Sequence, residues 1–123
     1  MYNPFYWEDI DLSYRAIKHG YSIHFDKNIR TIHEHDAGAI RKNNTTSKIE
    51  FYAYRNQFLF FWLNITDSSL WIKHLLWLPI HFINALRDRN SVFFRAFFRA
   101  LLLFPVIVSM HRKNNKDISL HDA

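Results

Sequence analysis

Residues 8–25 read EDIDLSYRAIKHGYSIHF, and this stretch decides the predicted fold class. A helix is predicted over Glu8–His19 because apolar residues recur at spacings of three and four: Ile10, Tyr14, Ile17 and Tyr21. Acidic residues crowd its first turn, and Gly20 stands where a C-terminal cap belongs. The alternation of apolar and polar residues over Tyr21–Phe25 then predicts a short strand.

The residues that follow predict a second strand and a loop. Asp26–Asn28 is a turn signal, and Ile29–His35 is interpreted as a strand with Thr31, His33 and His35 on one face. Asp36–Ser47 is polar and is interpreted as a loop, either simply solvated, which we favour, or contacting phosphate through its basic side chains.

Three helical segments are predicted in the apolar remainder of the chain. The first spans Lys48–Ile65, and a break and cap signal at Thr66–Ser68 precedes the second, which runs to about Arg87. The third runs from Ser91, taken as its cap, to about Met110. Bends are expected at Pro79 and Pro105 because proline cannot donate a helical hydrogen bond. The last dozen residues are polar and are expected to be frayed.

The composition favours an anionic partner. The 123 residues carry a formal net charge of +5, which suits membrane lipid, nucleic acid or a phosphorylated substrate. No nucleic-acid motif is present, so nucleic-acid binding is not expected. The absence of cysteine excludes disulfides and thiolate metal sites, and without a secretory signal at the N-terminus a cytoplasmic location is the expectation.

The aromatic and basic C-terminal half predicts contact with a membrane surface. A spanning helix needs about 20 mostly apolar residues. The segment Ser91–Met110 has that length but contains Arg95 and Arg99 on one face, which favours an amphipathic helix in the membrane interface. Packing against other parts of the protein and true spanning stay open as less favoured alternatives.

A cluster of acids opens the first helix, within the run PFYWEDIDLSYRA at residues 4–16, followed by Gly20-Tyr21. Taken alone, carboxylates at a helix start are usually caps or partners of the helix dipole. The whole run, however, resembles the segment (W/Y)-E-D-x-D-L-x-x-R-x-x-x-x-G-Y of family 2 inverting glycosyltransferases, particularly rhamnosyltransferase-like and galactofuranosyltransferase-like members. Thr31-Ile32-His33 and Tyr54-Arg55-Asn56 resemble later motifs of the same family, so the resemblance covers roughly residues 2–65.

The resemblance implies roles for individual residues. Asp9 is the expected catalytic base, and Glu8 is the neighbour that orients the acceptor or shares that role. Trp7 is expected to stack on a sugar ring. Arg55 is expected either to approach a phosphate or to form a structural ion pair, and Asp11 and Arg15 to brace the helix as an ion pair.

The resemblance also implies a divalent metal, Mg or Mn, in the complete enzyme. His33 is the expected contributor to the metal and diphosphate end of the site, because neutral imidazole is a good ligand for such ions. His35 shares its strand face, but we do not expect it to be a ligand.

The fold class implied is α+β and helix-dominated, a C-terminal piece of a GT-A fold followed by amphipathic helices. Residues 1–47 would be the catalytic piece, 48–112 three membrane-interfacial helices, and 113–123 a polar tail. The expected partners are a nucleotide-sugar donor, a glycan or lipid-linked acceptor, an anionic membrane surface at the inner face of the cell membrane, and the N-terminal nucleotide-binding half. Because this half is missing from the sequence, the chain is not expected to be active alone.

A second hypothesis needs no catalysis. The chain would be a small membrane-surface or partner-binding helical protein, and the acids would be helix caps. The aromatic and basic C-terminal half supports this alternative.

Overall fold

The computed structural model describes residues 2–29 and 39–111, which form helices joined by short connections. The helices are α1 (Glu8–Lys18), α2 (Ala39–Asn43), α3 (Thr46–Asn64), α4 (Ser68–Arg87), α5 (Ser91–Leu101) and α6 (Phe104–His111).

Short polar side chains begin three of these helices. Thr45 accepts a hydrogen bond from the backbone N–H of Lys48, Asp67 from that of Ser69, and Asn90 from that of Phe93. The predicted breaks after α3 and α4 are therefore confirmed, although Asn90 rather than Ser91 is the cap of α5. The first helix also agrees with its prediction, with Gly20 in the left-handed region at φ +83° just after it.

The core is formed where α3 packs against α5. Ala96 and Ala100 lie one turn apart on α5 and are both fully buried, and their small side chains let the two helix axes approach closely. Leu59 of α3 is also fully buried, and α1, α2 and α4 pack around this pair of helices. Arg55 and Asn56, on the same helix α3, are also buried.

Aromatic rings fill most of the space between α3, α4 and α5. The ring of Phe58 lies edge-on to Phe93 and Phe97, with centroid distances of 5.8 and 5.2 Å. Phe82 of α4 contacts the same two rings at 5.6 and 4.8 Å. Edge-to-face contacts of this kind add to the free energy gained by burying the rings.

The bend expected near Pro105 is confirmed. The α5 and α6 axes differ by 41°. Proline at position 105 has no N–H to donate to the carbonyl of Leu101, and its ring would clash with that carbonyl, so α5 ends there. At Pro79, α4 continues as one helix from Ser68 to Arg87, and the bend expected there stays a prediction.

The predicted α+β class is wrong for the part of the chain that the structure describes, which contains no strand and no sheet. Tyr21–Phe25 is irregular, and Tyr21 and Phe25 are 71% and 91% exposed. An alternating pattern yields a strand only where a neighbour completes the backbone hydrogen bonds, and within residues 2–29 and 39–111 no such neighbour lies beside it. These residues are therefore not an α+β piece of a GT-A fold.

Two neighbouring predictions have mixed outcomes. Of the predicted strand Ile29–His35, only Ile29 belongs to the described residues, and it is not in a strand. The predicted loop Asp36–Ser47 is wrong in its second half, where α2 spans Ala39–Asn43 and α3 starts at Thr46.

A membrane span requires a helix that is both long enough and sufficiently apolar. No helix within residues 2–29 and 39–111 meets both requirements by itself. The bent pair α5 and α6 meets them together, by length and composition only.

Candidate active site

The segment Tyr2–Trp7, which leads into the acidic helix α1, is attached to α3 by the side chain of Asn56. The Asn56 amide Nδ2 donates to the backbone carbonyl oxygens of Tyr2, Phe5 and Tyr6 at 2.8, 2.8 and 3.1 Å. Asn56 is fully buried, so these bonds are shielded from competing water. The acidic motif and the Arg-Asn motif, about 50 residues apart in sequence, therefore form one hydrogen-bonded unit.

Arg55 supports the same attachment. Its guanidinium donates to the carbonyl oxygen of Asn3 at 2.6 Å and, through Nε and Nη2, to Oδ1 of Asn56 at 2.9 and 2.7 Å. It also lies over the ring of Tyr52, 4.7 Å from its centroid. Burial lowers the pKa of Arg55, and the nearby charge of Arg99 adds to the lowering while Tyr52 opposes it. In this structure the guanidinium is engaged with the protein rather than turned towards solvent.

Asp11 is the buried member of the acid cluster. Its carboxylate accepts hydrogen bonds from the Tyr2 hydroxyl at 2.9 Å and from Nδ2 of Asn64 at 2.6 Å. The predicted ion pair with Arg15 is confirmed, with an N–O distance of 2.8 Å. Burial raises the pKa of Tyr2, and the hydrogen bond to Asp11 raises it further. Asp11 therefore fixes α1 to α3.

Glu8 and Asp9 have the opposite environment, because both are exposed in the first turn of α1. One carboxylate oxygen of Asp9 accepts the backbone N–H of Ile10 at 2.8 Å, which leaves the other oxygen open to solvent. Glu8 lines an open cleft of about 320 Å³ together with Tyr2, Asn3, Pro4 and Phe5. Asp9 follows Glu8 directly but is not part of the cleft wall.

Trp7 lies between the attached segment and the acids. Its ring contacts that of Phe60 on α3 with a centroid distance of 5.2 Å, and its exposure is intermediate. Tyr6 and Trp7 have φ angles of +69° and +76°, a backbone conformation that costs about 1–2 kcal/mol for a non-glycine residue. The hydrogen bond from Asn56 to Tyr6 and the contact between Trp7 and Phe60 hold this turn in place.

The predicted metal ligand His33 lies outside the described residues, as does His35. Within the described ranges, no group of three or more His, Asp or Glu side chains could hold a metal ion. The expected Mg or Mn site, which depends on His33, therefore stays a prediction.

The sequence identifies Asn56 as part of a motif, but it did not predict which residues hold the site together. Asn56, Phe60 and Asn64 recur every four residues on α3, and each contacts the N-terminal segment or α1. A stripe of polar and aromatic residues at that spacing within an apolar helix was the available signal, because residues four apart share one helix face. The role of Tyr2 had no comparable signal.

Comparison with known protein families, with curated proteins and with solved structures gives no match for this chain.

Proposed function

We propose that this chain carries the acceptor-side acids of an inverting family 2 glycosyltransferase. The supporting observation is that the acids of the motif have different environments. Asp11 is buried and structural, while Glu8 and Asp9 are exposed to solvent beside a cleft. The segment that precedes these acids, Tyr2–Trp7, is attached to α3. Arg55 and Asn56 hold it through backbone carbonyls that lie immediately before the exposed acids.

In the proposed reaction, Asp9 accepts the proton of an acceptor hydroxyl. The hydroxyl oxygen forms a bond to the anomeric carbon as the bond from that carbon to the nucleoside diphosphate breaks, with inversion. A carboxylate suits this step because the hydroxyl becomes acidic only as the new bond forms. Glu8, which lines the cleft, would hydrogen-bond the acceptor sugar, and Trp7 would contribute an apolar face to it.

The proposed enzyme needs partners beyond this chain. The donor is a nucleotide sugar held by a nucleotide-binding half that these 123 residues do not include, and the acceptor is a glycan or a lipid-linked saccharide. The complete enzyme would use a divalent metal at the diphosphate. It would act at the inner face of the cell membrane in making a cell-envelope polysaccharide.

The test combines the chain with a nucleotide-binding half, either fused to it or mixed with it, and follows nucleoside diphosphate release from a panel of nucleotide sugars. Asp9→Asn keeps the oxygen that accepts the Ile10 N–H, so it removes the base without disturbing the helix start. Glu8→Gln tests the second acid, and Asp26→Asn, at an exposed turn, is the matched control.

Turnover that is abolished in Asp9→Asn and retained in Asp26→Asn supports the proposal. If Asp9→Asn stays fully active and Glu8→Gln does not, Glu8 is the base. If a folded, donor-binding assembly shows no turnover at all, the transferase function is overturned.

A second candidate function is that of a small membrane-surface protein without catalysis. One specific observation favours it: α4 exposes a row of large apolar side chains that nothing in the described structure covers, namely Ile72, Leu75, Leu76, Trp77, Ile80, Ile83 and Leu86. Binding of the chain to vesicles, without any effect of Asp9→Asn on a reaction, is the outcome that favours this candidate over the first.

A further inference from the structure

Two hollows, bordered mainly by residues of α3 and α5, share two bordering residues and are together called the groove. The first, about 310 Å³, is bordered by Thr45, Ser47, Lys48, Phe51, Tyr52 and Arg95. The second, about 470 Å³, is bordered by Phe51, Phe94, Arg95, Phe98, Arg99 and Leu102. Phe51 and Arg95 belong to both, so they mark the junction.

The two halves of the groove differ in chemistry. The first half presents two cations and the hydroxyl groups of Thr45 and Ser47, which together suit a phosphate group. The second half is also bordered by Arg95 and Arg99, but its remaining walls are rings and aliphatic carbon, and Phe98 and Leu102 in it are 55% and 69% exposed. Cations thus border both halves of the groove, hydroxyl groups border only the first, and the second has the larger apolar wall.

The cations of the groove lack internal counterions. Arg95 lies over the ring of Phe51 at 5.9 Å, and within the described ranges neither Arg95 nor Arg99 forms an ion pair. Among the residues that the structure describes, no carboxylate borders either hollow. An anion that enters is therefore not repelled, and it does not have to displace a protein carboxylate.

From this arrangement we infer that the groove binds one anionic phospholipid, with the phosphate at Lys48 and Arg95 and the hydrocarbon chain along Phe94, Phe98 and Leu102. Charge complementarity with these cations favours a phosphate, Lys48 and the two hydroxyl groups of the first half identify its position, and the uncovered apolar wall identifies the chain end. A free phosphate would leave the apolar half exposed, and a neutral lipid would leave Arg95 without an anionic partner. The site is distinct from the acidic cleft at Glu8, since the two share no bordering residue.

The inference rests on the membrane association that is part of the proposed function, and it makes that association specific. Contact through the exposed face of α4 would involve many lipids at once and would require a bilayer. A groove for a single lipid would instead bind a soluble monomer with one-to-one stoichiometry. The two therefore give different results in the absence of a bilayer.

The experiment uses the full chain in a buffer without phosphate and titrates it with dihexanoyl phosphatidic acid kept below its micellar concentration. Calorimetry gives the stoichiometry and Kd, and the ¹⁵Nε resonance of Arg95 reports contact. Removal of one exposed cation at the phosphate is expected to raise the Kd about fivefold, so Arg95→Gln should weaken binding by that factor. Phe98→Gln should weaken it similarly by removing apolar contact.

Arg87→Gln and Ile83→Gln are the matched controls, because they remove an exposed cation and an exposed apolar side chain of α4 outside the groove. Both should keep the Kd of the unchanged protein. Far-ultraviolet circular dichroism verifies that all four variants keep their helices. Equal weakening by groove and control variants would overturn the inference, and so would inorganic phosphate binding as tightly as the lipid.

A separate vesicle sedimentation assay keeps this inference distinct from the proposed function. If the chain sediments with anionic vesicles but does not bind the monomeric lipid, the specific groove is refuted while membrane association stands. If nucleoside diphosphate release fails and the monomeric lipid still binds at Arg95, the transferase function is refuted while the groove stands.

Discussion

The side-chain amide of Asn64 donates a 2.6 Å hydrogen bond to the carboxylate of Asp11, across 53 residues of sequence. Both side chains are buried, at 6% and 4% exposure. The same carboxylate accepts the Tyr2 hydroxyl, and the backbone carbonyl of Asn64 accepts Lys18 Nζ at 2.6 Å. The last turn of α3 is therefore the anchor for both ends of α1.

This relationship predicts that Asp11 matters for stability far more than the acid two residues before it. Asp11→Ala leaves the Asn64 amide and the Tyr2 hydroxyl buried without their partner and should lower the free energy of unfolding by about 3 kcal/mol. Asp9→Ala, at an exposed position, should change it by less than about 0.5 kcal/mol. Urea unfolding followed by circular dichroism measures both, and equal effects of the two variants would contradict the anchoring role.

Asn56 is predicted to hold the N-terminal segment without being needed for α3 itself. Asn56→Ala removes three hydrogen bonds to backbone carbonyls and a partner of Arg55, and should cost about 2–3 kcal/mol. The neighbouring Gln57→Ala, at an exposed position, is the control and should be nearly neutral. Hydrogen exchange should become faster in α1 and stay unchanged in the middle of α3. If α1 keeps its protection from hydrogen exchange in Asn56→Ala, the attachment by Asn56 does not determine the stability of α1.

Local signals predicted a large part of the helical structure correctly. The α1 boundaries, the pair of Asp11 and Arg15, and the break at Asp67 each depend on residues within a few positions of one another. Capping and four-residue spacing are readable from sequence for that reason. The prediction of a strand at Tyr21–Phe25 was wrong because a strand depends on a distant partner, which an alternating pattern cannot reveal.

The candidate site also has features that local sequence predicts and features that it does not. The acids could be found because they cluster at a helix start. The sequence alone did not reveal which polar side chains hydrogen-bond Asp11, or that Arg55 donates to a backbone carbonyl. Such assignments depend on which surfaces meet in the tertiary structure. The exposure of Glu8 and Asp9 was thus readable only after α3 had been placed beside α1.

Tyr2 predicts a loss of stability at alkaline pH. Burial and the hydrogen bond to Asp11 raise its pKa in the folded protein, so the unfolded chain ionises first, near pH 10. Above that pH folding must reprotonate the phenol, and its contribution to the free energy of unfolding falls by up to about 1.4 kcal/mol per pH unit. Tyr2→Phe should therefore be less stable than the unchanged protein at pH 8, with the difference shrinking between pH 10 and 11. A difference that stays constant over this range would rule out the linkage.

His74 predicts the opposite dependence, at mildly acidic pH. Burial lowers its pKa, and the neighbouring His81 lowers it further. The ring stacks on Phe61 at 4.2 Å, and its Nε2 accepts the indole N–H of Trp62 at 3.3 Å, a role that requires the neutral form. Below pH 6.5 the unfolded chain binds the proton first, so stability should fall as the pH decreases through the folded pKa.

The test of this acid dependence is His74→Phe, which keeps the ring stack but cannot titrate. Its free energy of unfolding should change less between pH 7.5 and pH 5 than that of the unchanged protein. His19→Phe, at an exposed position, serves as the control and should keep the full dependence. An unaltered pH dependence in His74→Phe would assign the effect to other groups.

The exposed face of α4 predicts how the chain meets a membrane. Ile83 is 62% exposed and belongs to the uncovered apolar row, whereas Asn84 is the adjacent polar residue on the same helix. Full insertion of an isoleucine side chain into an apolar phase is worth about 1.5 kcal/mol or more, so Ile83→Gln should lower the partition coefficient into anionic vesicles about tenfold. Asn84→Gln, which changes a polar side chain for a similar one, should leave it unchanged. Sedimentation with vesicles of mixed neutral and anionic phospholipid measures both, and increasing salt should weaken the electrostatic part of binding while leaving the ratio between variants the same. If Ile83→Gln binds as well as the unchanged protein, the α4 face does not insert, and its apolar row must be covered by protein instead.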